Sequence, residues 1–196
     1  TLNNESVNIQ PGAMQWYVGD VHQSTGLKGI GDTIKKFFNA QVTGESTIKP
    51  QYEGTGVIVT EPSYKHYIIE DLDDWNGAMC VEDGLYCASE TKVNLSTSMI
   101  KSVSGQTIGD EGLFNLCLKG SGKVVLECNV PQEELITIDL HNDTLKIDGS
   151  FAIAWSENLD FTVERSGKTL IGSAVSGEGL VNVYRGTGRV LIKPQI

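Results

Sequence analysis

Four basic residues give this chain its clearest opportunity for chemistry, which is the binding of an anion. They form two pairs, and each pair brackets a glycine triplet of the form Gly-[Ser/Thr]-Gly. Clustered cations attract phosphate and carboxylate groups, so the four side chains could bind a small anion or RNA. The interpretation we favour is that they are solvated flanks of turns. The pairs are Lys119 and Lys123 around residues 120–122, and Arg185 and Arg189 around residues 186–188.

Three acidic residues recur ahead of the glycine triplets. Glu45, Glu111 and Glu178 precede the first glycine of a triplet, at positions 54, 120 and 186, by a nearly constant offset. Three equivalent carboxylates around a pseudo-threefold axis would bind a cation. A turn carboxylate that accepts backbone N–H groups gives the same pattern, and we favour this structural role.

The sequence lacks the common catalytic patterns. His22, His66 and His141 belong to no metal-binding spacing, and no Gly-x-Ser-x-Gly nucleophile motif occurs. The glycine triplets lack the lysine of a phosphate-binding loop, so we interpret them as hairpin turns. We therefore predict no catalytic residue, no cofactor, no metal and no enzymatic activity.

The four cysteines, at positions 80, 87, 117 and 128, show no Cys-x-x-Cys spacing. Cys117 and Cys128 flank a predicted hairpin and could face each other, but we predict buried free thiols that act as small apolar side chains. The sequence has no signal-peptide pattern, and its apolar runs are far shorter than the ~18 residues that span a bilayer. These features predict a cytoplasmic location.

Composition predicts a folded, acidic, non-nucleic-acid-binding protein. The 196 residues include 15 Lys and Arg against 25 Asp and Glu, for a net charge of −10. Hydrophobic residues make up 39% and charged residues 20%, which excludes intrinsic disorder. Nucleic-acid binding rests on surplus positive charge, so the acidity makes that partner unlikely.

The chain repeats itself at a regular interval. The glycine triplets begin at Gly54, Gly120 and Gly186, so the step from 54 to 120 equals the step from 120 to 186. We call this interval the triplet step. We predict a single three-repeat β domain over residues 1–196, with approximate repeats 5–62, 67–130 and 135–194.

The local pattern of the repeats is β. Short runs rich in β-branched and aromatic residues alternate with glycine turns, as in sandwiches and barrels. The exception is residues 27–40, where Leu27, Ile30, Ile34 and Phe37 fall near helical spacing. We predict a short inserted helix packed on the sheet, with a membrane-surface helix as the alternative. The predicted strands are Val124 to Cys128, Leu135 to Leu140, Phe151 to Trp155, Phe161 to Val163 and Gly188 to Ile192.

Several runs in a fixed order resemble the "altered inheritance of mitochondria" family, also called the mitochondrial biogenesis family, whose bacterial members have no known function. The resemblance covers residues from about 6 to 194. Its residues are Pro11-Gly12-Ala13-Met14, Ser24-Thr25-Gly26, Ile34-Lys35-Lys36-Phe37-Phe38, Gly44-Glu45-Ser46, Gly177-Glu178-Gly179-Leu180 and the run 186–192.

The resemblance implies an architecture rather than a reaction. The family is similar in fold to the trp RNA-binding attenuation protein, a short double-stranded β-helix that forms rings, and its members look like three such modules in one chain. Open edges at both ends favour closure with other copies. A cyclic homotrimer would then be a ring of nine modules.

The function we expect is a non-enzymatic, oligomeric β scaffold that mediates interactions with a protein or a membrane-associated partner. The alternative is a ring-forming protein that binds a small ligand or RNA, through a pocket between modules or through Lys119, Lys123, Arg185 and Arg189.

Overall fold

In a computed structural model, the described residues 1–24, 49–99, 101–102, 114–165 and 180–194 form an all-β fold, as the sequence predicted. Two short 3-10 helices, Leu72–Trp75 and Gln132–Glu134, interrupt the strands. The strands are β1 Leu2–Ile9, β2 Met14–Ser24, β3 Gln51–Thr60, β4 His66–Asp71, β5 Ala78–Val81, β6 Tyr86–Glu90, β7 Asn94–Met99, β8 Lys101–Ser102, β9 Phe114–Lys119, β10 Lys123–Cys128, β11 Ile136–Asp148, β12 Ala152–Ser156, β13 Asp160–Arg165 and β14 Leu180–Ile192.

The strands form two sheets, which are antiparallel except for the pairing of β8 with β13. The first sheet has the order β2-β3-β1-β6-β10-β4. The second has the order β7-β9-β5-β12-β14-β13-β8, and β11 pairs with β14. Each predicted strand coincides with or lies largely within an observed strand, namely β10, β11, β12, β13 or β14.

The main core contains side chains from both sheets. Ile68 of β4 and Leu126 of β10 belong to the first sheet, and Met79 of β5 and Ile153 of β12 belong to the second; all four are inaccessible to solvent. Burial of such side chains stabilises each by roughly 1.5–3 kcal/mol relative to exposure. A separate, smaller cluster lies under the first three strands and consists of Leu2, Ile9, Val21 and Tyr52.

The prediction that the glycine triplets are hairpin turns is correct for one and wrong for two. Residues 120–122 turn the chain from β9 into β10. Residues 54–56 and 186–188 instead lie inside the continuous strands β3 and β14. Glycine is needed at position 54 because φ is 130° there and a Cβ would collide with the carbonyl oxygen of Asp20. The glycines thus permit close approach of strands rather than reversal of the chain.

One pairing pattern recurs three times along the chain. β2 pairs with β3, β6 with β10, and β12 with β14, and each ladder has a register shift after its first pair. The first pairs are Met14 opposite Thr60, Tyr86 opposite Leu126, and Ala152 opposite Ile192. The pairs after the shift are Trp16 opposite Val59, Ala88 opposite Val125, and Ala154 opposite Leu191.

A backbone hydrogen bond recurs with the same spacing. Its donors are the N–H groups of residues 61, 127 and 193, which are separated by the triplet step. The bonds run from Glu61 to the carbonyl oxygen of Ala13 over 2.7 Å, from Glu127 to that of Leu85 over 2.7 Å, and from Lys193 to that of Phe151 over 2.9 Å.

Two sequence predictions fall outside the described residues. These are the inserted helix over residues 27–40 and the three recurring carboxylates Glu45, Glu111 and Glu178. Within the described part of the chain, no helix has the length and apolarity required to cross a membrane.

Candidate functional site

The four basic residues singled out in the sequence are all engaged by carboxylates. The guanidinium of Arg185 also donates to the hydroxyl of Thr162, and that of Arg189 lies over the ring of Trp75 at 5.8 Å. Such pairing reduces the positive field that an anion or RNA would meet. The N···O distances are 2.6 Å for Lys119–Glu157, 3.5 Å for Lys123–Asp71, 2.7 Å for Arg185–Glu164 and 3.0 Å for Arg189–Asp139.

The prediction of buried free thiols is wrong for Cys117 and correct for Cys128. Cys80 and Cys117 form a disulfide, because the antiparallel register of β5 and β9 places them directly opposite each other. Cys128 is therefore not the partner of Cys117, and it remains a buried free thiol together with Cys87. Burial raises the pKa of the Cys87 thiol to about 11, which keeps it protonated and unreactive.

A cavity of about 140 Å³ lies beside this disulfide. Its lining combines Cys80 with the aromatic rings of Trp155 and Phe161, whose centroids are 5.1 Å apart, and with the carboxylates of Glu157 and Asp160. The aromatic faces favour a small organic cation, whereas the carboxylate of Glu157 is already paired with Lys119. The sequence motifs did not indicate this cavity, since Cys80, Ser98 and Asn115 reach residues 155–161 from distant positions in the chain.

The histidines assemble no site. His22 lies 3.1 Å from Asp20 on the exposed part of β2, and His66 and His141 are also exposed. His141 lies within β11 at a register shift. Among the described residues, no group of His, Cys, Asp and Glu side chains is arranged to hold a metal ion.

An apolar strand edge is the feature that the sequence motifs missed. Trp16, Tyr17 and Val18 of β2 are 49%, 42% and 60% exposed, and β2 is the terminal strand of the first sheet. Val57 of the neighbouring β3 adds to the exposed apolar surface. The sequence signal was available, because three consecutive large apolar residues depart from the apolar-polar alternation of a half-buried strand.

A second strand edge lies at the other end of the chain. β11 pairs with β14 along its length. Among the described strands, no other strand pairs with β11. Its segment from Leu145 to Asp148 therefore has one paired edge and one outer edge. An unpaired edge of N–H and C=O groups is a template for another strand.

The chain is similar to proteins of Streptococcus pyogenes. It is 28% identical to an uncharacterized protein of serotype M6, over 96% of this chain and 76% of that protein. A crystal structure of another Streptococcus pyogenes protein has the same fold, with a TM-score of 0.68 and 24% identity, over 99% of this chain and 85% of that one. A family model described as Mitochondrial biogenesis AIM24 matches residues 1–195. The chain therefore belongs to the mitochondrial biogenesis AIM24 family.

Proposed function

We propose that this protein is a non-enzymatic scaffold that assembles with copies of itself, as a trimer, and presents its surface to a protein or membrane-associated partner. Each copy would consist of three tandem modules, the approximate repeats 5–62, 67–130 and 135–194, each similar to a subunit of the trp RNA-binding attenuation protein.

The recurring ladders support the three modules. The pairs Tyr86–Leu126 and Ala152–Ile192 are related by one triplet step on both strands. The hydrogen bonds donated by residues 61, 127 and 193 follow the same step. Unrelated segments have no reason to repeat both a strand register and its irregularity, so a threefold internal repeat accounts for all of these contacts together.

The observation that carries the self-assembly proposal is the exposed apolar edge at Trp16, Tyr17 and Val18. Natural proteins usually protect terminal strands with charge, proline or a covering segment. A terminal strand with large apolar side chains is instead suited to contact between molecules. Two alternative roles have less support among the described residues, since the four basic residues are ion-paired and no metal cluster forms.

The test is the mass of the purified chain by native mass spectrometry and by light scattering over a range of concentrations. We expect a species of three chains, each of 21.2 kDa. The double variant Trp16→Ser/Val18→Ser should shift the population to smaller species by at least tenfold in dissociation constant. The matched control is Tyr64→Ser, which removes a fully exposed aromatic residue outside the strands. A wild-type protein that remains monomeric at tens of micromolar would contradict the proposal.

The second candidate function is the binding of a small ligand, and the cavity beside the disulfide supports it. The paired state of Lys119, Arg185 and Arg189 favours a small ligand over RNA. Tetramethylammonium is a suitable probe, because the cavity has two aromatic walls. We expect it to raise the melting temperature relative to sodium at equal ionic strength, and Phe161→Leu to abolish the increase. An equal effect of both salts would remove this candidate.

A further inference from the structure

The chain already contains two strand-to-strand joints with one geometry. In the first, β6 pairs with β1; in the second, β12 pairs with β5, and both are antiparallel. The second joint repeats the first at later positions in the chain. Ala154 takes the place of Ala88 on one strand, and Val81 takes the place of Ile9 on the other. The register does not change. The pairs are Ala88–Ile9, Ser89–Asn8 and Glu90–Val7, and then Ala154–Val81, Trp155–Cys80 and Ser156–Met79.

A flanking hydrogen bond follows the same rule. The N–H of Gln10 donates to the carbonyl oxygen of Cys87 over 2.8 Å, and the N–H of Glu82 donates to that of Ile153 over 3.0 Å. The donors Gln10 and Glu82 are the same distance apart in sequence as Ile9 and Val81. The acceptors Cys87 and Ile153 are separated by the triplet step, as Ala88 and Ala154 are. The two joints are therefore repeated at the level of individual backbone atoms.

The strand equivalent to β6 and β12 at the start of the chain is β2. Met14 opposite Thr60 in the β2–β3 ladder corresponds to Ala152 opposite Ile192 in the β12–β14 ladder, with the same register shift. At the joints, β6 and β12 each use a second edge to pair with β1 and β5. Among the described strands, nothing pairs with that second edge of β2.

The strand equivalent to β1 and β5 at the end of the chain is β11. Leu2 opposite Gly56 in the β1–β3 ladder corresponds to Leu140 opposite Gly188 in the β11–β14 ladder, and each ladder has a register shift a few residues on. The segment of β11 that corresponds to Val7–Ile9 is Leu145–Ile147. One chain therefore carries two different strands, β2 and β11, that are equivalent to the two partners of each internal joint.

We propose that β2 of one copy pairs antiparallel with β11 of a second copy, in the register of the two internal joints. Trp16 would then lie opposite the second copy's Ile147, Tyr17 opposite its Lys146, and Val18 opposite its Leu145. The N–H of the second copy's Asp148 would donate to the carbonyl oxygen of Gln15. The inference rests on the proposed self-assembly and adds the partner strand and its register.

The side chains at this joint suit the pairing. Residues that are directly opposite share a face of the sheet, so exposed Trp16 and Val18 would cover the half-buried Leu145. On the other face, the exposed Lys146 would meet the ring of Tyr17, a favourable cation–aromatic contact. Ile147 is already buried, as are Ile9 and Val81 at the equivalent positions of the internal joints.

The contact is heterologous, since two different surfaces meet. Cysteines at opposed positions therefore test it directly: opposed Cβ atoms are about 4.5–5.5 Å apart, close enough for a disulfide after a small adjustment. We would mix full-length chains carrying Tyr17→Cys with chains carrying Lys146→Cys and oxidise them mildly. Both positions are exposed, so the variants should fold as the wild type does.

We expect a covalent dimer from the mixture and at least tenfold less from either variant alone. The matched control mixes Val18→Cys with Lys146→Cys, because adjacent residues of a strand point to opposite faces, and it should also give at least tenfold less dimer. The Tyr17→Cys/Lys146→Cys double variant should form linked species of more than one chain. Equal yields from control and test mixtures would overturn the inference, as would a bond confined within one chain.

Native mass spectrometry of the wild type separates the two proposals. A trimer without cross-linking at Tyr17 and Lys146 would overturn this register and leave the scaffold proposal standing. A monomer would overturn both.

Discussion

The backbone N–H of Asn142 donates to the hydroxyl of Thr187 over 2.9 Å, across a register shift in the β11–β14 ladder. Asn142 has a φ of 57°, in the left-handed region that asparagine tolerates. Asn4 has a φ of 55° and donates in the same way to Thr55 over 3.0 Å. In both places, the hydroxyl of the glycine triplet is the acceptor for a backbone group that the shifted ladder leaves unpaired.

Replacement of that hydroxyl should weaken the fold modestly. Thr187→Val keeps the shape of the side chain and removes the acceptor, so we expect a loss of about 1 kcal/mol in the free energy of unfolding. Urea denaturation measures it. Thr187→Ser, which retains the acceptor, is the control and should lose less. Equal losses in the two variants would mean that the methyl group matters more than the hydrogen bond.

Gly54 should be far less tolerant of substitution than Gly12. Both have positive φ, at 130° and 81°, but a Cβ at position 54 collides with the Asp20 carbonyl whereas one at position 12 meets nothing within 4 Å. We expect Gly12→Ala to cost about 1 kcal/mol from backbone strain. Gly54→Ala should cost at least ~3 kcal/mol, because it adds a steric clash to that strain. Chemical denaturation of both variants checks the order, and similar costs would contradict it.

The four cysteines should react with a thiol reagent in two groups. Ellman's reagent should find no rapidly reacting thiol in the native protein, since Cys87 and Cys128 are buried. Denaturation without a reductant should expose these two, and prior reduction should release Cys80 and Cys117 as well. Four reactive thiols in denaturant alone would show that the disulfide is absent.

Loss of the disulfide should destabilise the protein. The bond joins residues 37 positions apart, and closure of a loop of that length is worth roughly 3–4 kcal/mol in the chain-entropy description. The double variant Cys80→Ala/Cys117→Ala should lose about that much free energy of unfolding. Reduced wild-type protein is the control and should approach the same value.

Glu70 should make the stability depend on pH. Burial raises the pKa of its carboxyl above the ordinary value, against the opposing effects of the Trp75 indole N–H and of Arg189. The folded state therefore holds this proton more tightly, and stability falls as pH rises from the unfolded pKa through the folded one. Glu70→Gln removes the titrating carboxyl and keeps an acceptor for Trp75. The free energy of unfolding of this variant should therefore rise relative to that of the wild type as pH rises from about 4 to about 7.

Glu164 is a control, because its contribution to stability should change with pH in the opposite direction. Hydrogen bonding from Arg185 lowers its pKa, so its contribution is present above the unfolded pKa and lost as pH falls through the folded one. Glu164→Gln should destabilise the protein at neutral pH and lose that effect in acid. Parallel pH profiles for the two variants would contradict both assignments.

The strands near the end of the chain were predictable because their signals are local. Val124 to Cys128 and Phe161 to Val163 are short, β-branched or aromatic, and bounded by glycine or polar turns. The structure at the triplets that begin at Gly54 and Gly186 was not predictable. A glycine in a turn and a glycine that allows close approach of a neighbouring strand look alike in sequence. Only the pairing of β3 and β14 with strands on both sides distinguishes them.

The contacts between distant strands explain what else the sequence missed. Cys80 pairs with Cys117 because β5 and β9 are neighbouring strands, and the residues around each cysteine do not indicate that proximity. The same holds for the cavity that Trp155 shares with Cys80. The regular triplet step was visible, but it treats all repeats alike. The family resemblance predicted open edges at both ends, but not that, among the described strands, β2 and β11 would carry them.

Identical joints bear on the size of an assembly. The β6–β1 and β12–β5 joints share one register, and we expect each to turn the following strand pair through a similar angle. If the joint between copies obeys the same rule, the number of chains in a closed assembly is fixed by this curvature per step. A single residue inserted at one of the register shifts would change this curvature, and the number of chains in the assembly with it.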